Sequence, residues 1–187
     1  MNSSQRTFVL LAIVFAGPLL AAYLAYFFWK PATTANHGEL LAAPLNVSAF
    51  VVRDTRGAEL PLNSLSGKWT LLQVDSAACE ERCRKKLYAM RQAHIAQGKN
   101  QERVQRVFLT DDGTMPGTGL LAQTADWLWY SAAGSSLLKS LPAKESTRDH
   151  IYIVDPLGNV IMRFSAEPDI KGLLKDLERL LKVSQIG

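Results

Sequence analysis

The chain has 187 residues and a net charge of +4, from 21 basic and 17 acidic side chains. Its charges alternate in sign without a long basic run, which excludes the footprint of a nucleic-acid-binding surface. Once an N-terminal apolar segment is set aside, the remainder suits one compact domain, and a second domain would not fit comfortably.

The N-terminal segment from Phe8 to Trp29 contains no charged side chain. A helix of this length can cross a hydrocarbon core of about 30 Å, whereas a cleavable signal usually has a shorter apolar core. We therefore predict an uncleaved transmembrane anchor over residues 1–30. Its trailing end is marked by an interfacial set of side chains: Tyr23, Tyr26, Phe27, Phe28, Trp29 and Lys30. The charges on its two sides, Arg6 and the terminal amine before it and Lys30 after it, predict its orientation across the membrane only weakly.

Residues 31–45 are small, polar and flanked by proline, which predicts a tether between the membrane and a domain spanning 46–187. His37 lies in this tether and is expected to be solvated. The domain is then predicted to open with two strands, Val47–Val52 and Glu59–Leu62, that form a hairpin around a turn.

The next apolar run, Trp69–Val74, has the length and composition of a buried strand. It ends at Asp75 and Ser76, both of which are good helix N-caps. The pattern therefore predicts a strand that leads directly into a helix.

Cys79 and Cys83, the only cysteines of the chain, follow this strand. If the helix begins just before them, their i, i+4 spacing places both sulfurs on one face of its first turn. The positive end of a helix dipole favours thiolate. We therefore expect the chemistry of the protein to lie here.

The cysteine-bearing helix is predicted to continue to about Ile95, with Gly98 as its C-cap and His94 as an ordinary surface histidine. A strand, Val104–Leu109, follows and ends in a turn. Asp111 and Asp112 are interpreted as turn formers in preference to a metal pair.

The last third of the chain is predicted to hold two helices, Leu120–Tyr130 and Ser135–Leu141, with Trp127 and Trp129 as packing residues. Two strands and a closing helix come after these helices: Ile151–Val154, Val160–Phe164 and a helix that begins near Pro168. A β-α-β unit followed by an antiparallel hairpin and a final helix is the thioredoxin arrangement. The predicted fold class is therefore α/β, thioredoxin-like, with a single N-terminal transmembrane helix.

The chain resembles the Sco/SenC family of membrane-tethered, thioredoxin-like proteins. The resemblance is carried by the single anchor, the Gly67-Lys68-Trp69 sequence, the Cys79-x-x-x-Cys83 pair, and Asp149-His150 ahead of a Tyr-Ile-Val-Asp-Pro-x-Gly sequence. The resemblance implies a copper-binding protein of cytochrome c oxidase assembly, with Cys79, Cys83 and His150 as ligands. A copper chaperone is implied in preference to a catalytic enzyme.

The resemblance also implies a location and partners. The chain would lie in a bacterial inner membrane with its domain in the periplasm, and it would serve an oxidase subunit or other copper and thiol assembly factors. Two thiolates on one helical turn suit Cu(I), and an imidazole would add a third ligand.

The chain departs from the family pattern near its site. Glu80 and Arg84 follow the cysteines where family members usually carry proline, and the spacing after His150 places this residue inside a strand. Three alternatives to copper handling therefore stay open. The pair could exchange disulfides without metal, it could be a structural bridge, or the domain could be a scaffold without redox or metal activity.

Overall fold

The computed structural model describes residues 2–28, 36–167, 169–184 and 186. These residues form two compact units, residues 1–35 and 36–187, and each is described by itself. Trp29, Lys30, the first part of the predicted tether (31–35) and the predicted helix start at Pro168 lie outside the described residues.

The first unit is a single helix, α1 (Ser3–Phe28), which runs through Pro18 without interruption. Its segment Ser4–Phe27 has a mean hydropathy of 2.4 and is long and apolar enough to cross a membrane. An N-terminal helix of this kind is a candidate membrane span, as the sequence predicts.

The second unit is built on one sheet of eight strands in the order β1-β8-β7-β4-β5-β6-β2-β3. The strands are β1 (Glu39–Asn46), β2 (Val51–Arg53), β3 (Glu59–Pro61), β4 (Trp69–Asp75), β5 (Val104–Thr110), β6 (Leu128–Ser131), β7 (His150–Val154) and β8 (Asn159–Ser165). The α-helices are α2 (Glu81–Ile95), α3 (Thr118–Gln123), α4 (Leu137–Ser140) and α5 (Ile170–Val183). Short 3-10 turns join several of them.

Strand β4 lies at the centre of the sheet, parallel to β5 and antiparallel to β7. Alternate β4 side chains point to opposite faces, so Trp69 and Leu71 pack in one core cluster while Leu72 and Val74 pack in another. The first cluster includes residues of α2 and α5, and the two helices contact each other. A sheet covered on both faces explains why β4 is apolar almost throughout.

Two predicted segments differ in the structure. The predicted tether is a strand from Glu39 onward, as part of β1 (Glu39–Asn46), because its backbone pairs with the otherwise open edge of β8. The predicted helix Leu120–Tyr130 is wrong beyond Gln123. Leu128–Ser131 pairs in parallel with β5, where Trp129 stacks on Phe108 with ring centroids 4.2 Å apart.

The first hairpin and the helix ends also shift. In place of the predicted strand Val47–Val52, the structure has the shorter strand Val51–Arg53, which pairs with β3 as expected. Helix α2 ends at Ile95, and Ala96 takes the C-cap position in place of Gly98. The closing helix α5 begins at Ile170, where the Asp169 side chain accepts a hydrogen bond from the Lys171 backbone N–H.

Candidate functional site

A disulfide joins Cys79 to Cys83, with the two Cα atoms 5.1 Å apart. The bridge lies beyond the carboxyl end of β4, at the start of α2. The prediction that both sulfurs share the first helical turn is wrong in detail, because α2 begins only at Glu81. Cys79 precedes the helix with a positive φ of 42°, and Cys83 lies within its first turn.

The predicted N-caps, Asp75 and Ser76, do not cap the helix. Glu80 occupies the N-cap position without a side-chain cap hydrogen bond. Asp75 instead forms an ion pair of 2.9 Å with Lys86, whose side chain is fully buried. The Asp75 carboxylate therefore contacts Lys86 in the second turn of α2 and does not cap the start of the helix.

The two sulfurs differ in their surroundings, although both cysteines are almost fully buried, with 1% and 2% exposed. A groove of about 550 Å³ lies between α2 and α3, and its lining includes Cys79 but not Cys83. Leu120 and Trp127 supply apolar surface to the same groove. Of the two bridged cysteines, Cys79 is therefore the one that borders the groove.

Cys83 lies on the protein side of the bridge. The Gln73 side-chain Nε2 donates a hydrogen bond to its Sγ at 3.2 Å, and Gln73 is fully buried. Gln73 is not among the site residues predicted from the sequence. The signal was available, since a glutamine that alternates with Trp69 and Leu71 on an apolar strand faces the same side as they do.

Lys86 ties the start of α2 to the loop before β7. Its Nζ donates to the backbone carbonyls of Val74 and Arg148 in addition to Asp75. Burial lowers the pKa of Lys86, although the hydrogen bond to Asp75 opposes this shift. This contact is not predicted from the sequence, although a lysine three residues after Cys83, at a buried position of α2, is a signal for it.

The basic residues beside the cysteines have different partners. Arg82 forms an ion pair with Asp149 at 2.9 Å, and Lys85 forms one with Glu81 at 3.2 Å. Arg84 instead turns toward the groove, and its Nε donates to the Cys79 carbonyl oxygen at 3.1 Å. Of these three basic side chains, Arg84 is the one that hydrogen-bonds to the backbone of a bridged cysteine.

His150 is the first residue of β7, so it lies in the strand, as its spacing predicts. Its Nδ1 is 3.1 Å from the Phe164 carbonyl oxygen, and its Nε2 accepts from the Lys144 backbone N–H at 3.4 Å. A carbonyl only accepts, so Nδ1 carries the proton. Burial lowers the pKa of His150, consistent with a neutral ring whose two nitrogens are both occupied.

The ring nitrogens of His150 contact backbone groups of Phe164 and Lys144. In the part of the chain that the structure describes, no group of three or more His, Cys, Asp or Glu side chains could hold a metal ion. The sulfur pair is present, and the imidazole expected as third ligand is turned to backbone partners.

Two other histidines also have protein partners. His37 was expected to be solvated, but its backbone N–H and Nδ1 contact the buried Asp176 carboxylate at 2.7 and 3.1 Å. His94 was expected to be an ordinary surface residue, but its Nε2 lies 3.1 Å from the Val104 carbonyl oxygen. Burial lowers the pKa of His94.

The predicted turn aspartates hold the loops around the site. Asp111 forms a bidentate ion pair with Arg148 at 2.6 and 2.8 Å, and Asp112 accepts from the Ala77 backbone N–H at 3.0 Å. Trp127 and Trp129 are both buried, each 6% exposed, in agreement with a packing role.

Comparison with solved structures confirms the resemblance to Sco proteins at the level of the fold. Apo Sco1 from Thermus thermophilus is 19% identical, with a TM-score of 0.58, over 80% of this chain and 99% of that one. Copper-bound yeast Sco1 is 17% identical, with a TM-score of 0.57, over 77% and 94%.

A third similar structure has a different description. The thioredoxin domain of a thiol-disulfide oxidoreductase from Bacteroides vulgatus is 20% identical, with a TM-score of 0.53, over 75% of this chain and 98% of that one. None of the curated proteins matches the chain. At these identities the similarity establishes a shared fold.

One family is matched directly by the sequence. Its description is transmembrane-like, thioredoxin-like, C-terminal domain, and the match covers residues 69–184, from the first residue of β4 to the end of α5. This range contains both cysteines and more than half of the chain. The chain therefore belongs to the transmembrane-like, thioredoxin-like, C-terminal domain family.

Proposed function

We propose that this chain is a membrane-anchored thiol-disulfide exchange protein whose redox pair is Cys79 and Cys83. The observation that carries the proposal is the position of the disulfide beside a groove whose lining includes only one of its two cysteines. A bridge between residues four apart constrains the unfolded chain little, which argues against a purely structural role. A lasting disulfide also favours a domain outside the cytoplasm.

The exchange step follows from the different positions of the two sulfurs. A partner thiolate that enters the groove attacks Cys79 Sγ, the Cys79–Cys83 bond breaks, and Cys83 leaves as a thiolate. The Gln73 amide and the N-terminal turn of α2 stabilise that thiolate. A second partner thiolate then attacks the mixed disulfide at the partner's sulfur, so the partner gains a disulfide, Cys79 leaves reduced, and two electrons pass to the pair.

Trapping in cells tests this proposal with a matched pair of variants. The full chain with Cys83→Ser retains the groove-side sulfur. Because exchange is reversible, its Cys79 thiolate is expected to attack the disulfide of an oxidised partner and to accumulate as a mixed disulfide, since no Cys83 thiolate remains to displace the partner. The chain with Cys79→Ser retains only the sulfur on the protein side and is expected to accumulate much less. A reduction potential far below about −300 mV, with no trapped species from either variant, would indicate an inert bridge.

A second candidate function is Cu(I) transfer by the reduced pair during oxidase assembly. The observation that favours it is the 5.1 Å separation of the two Cα atoms, since two thiolates on adjacent backbone suit a soft ion of low coordination number. His150 does not fit the expected third position, because both of its nitrogens are hydrogen-bonded elsewhere. Copper is therefore proposed as cargo held by two sulfurs.

The activity of cytochrome c oxidase in cells tests whether the cysteine pair serves oxidase assembly, by disulfide exchange or by copper transfer. A double Cys79→Ser, Cys83→Ser variant is expected to lower the amount of active cytochrome c oxidase if the pair serves its assembly. Unchanged oxidase activity in cells that carry only this variant would leave a scaffold as the function of the domain. Added copper separates the two candidates, because it should rescue a defect in delivery but not a defect in exchange.

A further inference from the structure

The groove beside the disulfide is positively charged. Its lining contains two charged side chains, Arg84 and Arg91, and no carboxylate among the described residues. Apart from the bond between the Arg84 Nε and the Cys79 carbonyl, neither guanidinium donates to a side chain or carbonyl in that part of the chain. Two exposed cations without an anionic partner are available to a ligand.

These arginines lie on one wall of the groove. Arg84, Tyr88 and Arg91 are spaced i, i+4, i+7 on α2, so all three share a helix face, and Tyr88 is 58% exposed. The opposite wall comes from α3, where Leu120 lines the groove, and buried Trp127 contributes apolar surface. The groove therefore joins an apolar surface, an exposed aromatic ring and two cations, with Cys79 in its lining.

We infer that this groove selects the exchange partner by binding an extended acidic segment around the partner's cysteine. The inference rests on the proposed exchange function, for which it names the partner chemistry. Arg84 and Arg91 are seven residues apart on a helix, or about 10 Å along its axis. A segment in the extended polyproline II conformation has three residues per turn and advances about 3.1 Å per residue, so two carboxylates three residues apart lie on one face and match the spacing of the two guanidiniums.

The register of the partner follows from the position of Arg84. Arg84 contacts the Cys79 carbonyl, close to the disulfide. The partner carboxylate that pairs with Arg84 therefore lies within about two residues of the partner's attacking cysteine. The second lies three residues further along. Apolar side chains of the partner that lie between the two carboxylates contact Leu120 and Trp127. The carboxylates themselves pair with Arg84 and Arg91 by charge complementarity.

Binding can be measured without exchange. The oxidised full chain in detergent is titrated with a labelled peptide in which serine replaces the cysteine and two aspartates stand three residues apart. Fluorescence anisotropy is expected to show binding that weakens as salt is raised. A peptide with lysines in place of the aspartates, or with the aspartates adjacent to each other, is expected to bind at least about tenfold more weakly.

Charge reversal in the protein provides the matched control. The Arg84→Glu, Arg91→Glu double variant is expected to lose binding of the acidic peptide by at least about tenfold and to gain binding of the lysine peptide. Arg91→Glu alone leaves the Arg84 contact with Cys79 in place and is expected to show part of the loss. Lys175→Glu makes the same charge change on an exposed position of α5, outside the groove, and should leave the affinity unchanged.

Exchange rates then separate this inference from the function on which it rests. Cysteine-containing versions of the acidic and lysine peptides are reacted with the oxidised wild-type chain, and the acidic peptide is expected to react about tenfold faster. Equal rates with equal binding would overturn the acidic partner and leave exchange standing. If neither peptide reacts, exchange fails, and the anisotropy result still decides whether the groove binds acidic segments.

Discussion

The buried amide of Gln73 donates a hydrogen bond to Sγ of Cys83 at 3.2 Å. Its Oε1 is buried and accepts no hydrogen bond within the described part of the chain. The amide can thus serve either protonation state of a reduced Cys83, because its N–H donates to a thiolate and its oxygen accepts from a thiol. In the proposed exchange, this contact makes Gln73 a positioning residue for the sulfur that would leave.

Replacing Gln73 by leucine removes the donor to the Cys83 thiolate. In a Cys79→Ser background, we expect the pKa of the Cys83 thiol to rise by about one unit, since a hydrogen bond to a charged group contributes about 1.5–3 kcal/mol. Thiolate absorbance followed against pH measures this change. Gln105→Leu is the control, because its amide binds the Leu65 carbonyl and the Thr70 hydroxyl instead of sulfur. An unchanged Cys83 pKa would contradict the role of Gln73.

The segment before β1 is expected to stabilise the domain. The fully buried Asp176 carboxylate accepts from the backbone N–H groups of His37 and Gly38 at 2.7 and 2.8 Å. A domain that begins at Glu39 leaves this carboxylate without those donors. Its free energy of unfolding should fall by about 2–3 kcal/mol relative to a domain that begins at Asn36.

Urea unfolding of the two truncated domains measures that difference. Asp176→Leu in the longer domain is the complementary test, because it removes the acceptor and leaves the backbone donors unpaired. Equal unfolding midpoints for the domains beginning at Asn36 and Glu39 would show that residues 36–38 do not stabilise the fold.

Stability is expected to fall as the pH drops below about 6.5. Burial lowers the pKa of His150 and of His94, so these two residues take up protons near the ordinary histidine value in the unfolded chain but stay neutral in the folded chain. The unfolded state then binds more protons, and each histidine contributes a slope of up to about 1.4 kcal/mol per pH unit. The loss continues until the pH reaches the lowered folded pKa of each residue.

Urea midpoints measured between about pH 5 and pH 7 test this pH dependence. His150→Asn is expected to reduce the slope, and His94→Gln in the same chain should reduce it further. A stability that stays constant over this range in the parent chain would show that neither histidine makes the stability depend on pH.

Cu(I) binding, if the reduced pair carries copper, is expected to depend on sulfur alone. Anaerobic titration of the reduced chain against a Cu(I) indicator should show one equivalent bound, and Cys79→Ser should abolish that binding. His150→Ala should leave the affinity unchanged, because the imidazole already contacts Phe164 and Lys144. A tenfold or greater loss in His150→Ala, about 1.4 kcal/mol, would instead show that the histidine turns to the metal.

Local pattern in the amino-acid sequence was enough to predict the central elements. The apolar run of β4, the helical periodicity of α5 and the apolar N-terminal helix are each encoded within one segment, so they need no distant partner to be recognised. The four-residue spacing likewise places Cys79 and Cys83 side by side, and the structure joins them in a disulfide.

Only the tertiary structure decided which surfaces meet. Strands β1 and β6 exist because β8 and β5 offer them backbone partners, and a short apolar run such as Leu128–Ser131 does not reveal this by itself. The contacts of Cys83 with Gln73, of His150 with Phe164 and of His37 with Asp176 join residues 10, 14 and 139 positions apart. Such contacts depend on how the sheet and its helices pack, because side chains from different elements become neighbours only after the chain has folded.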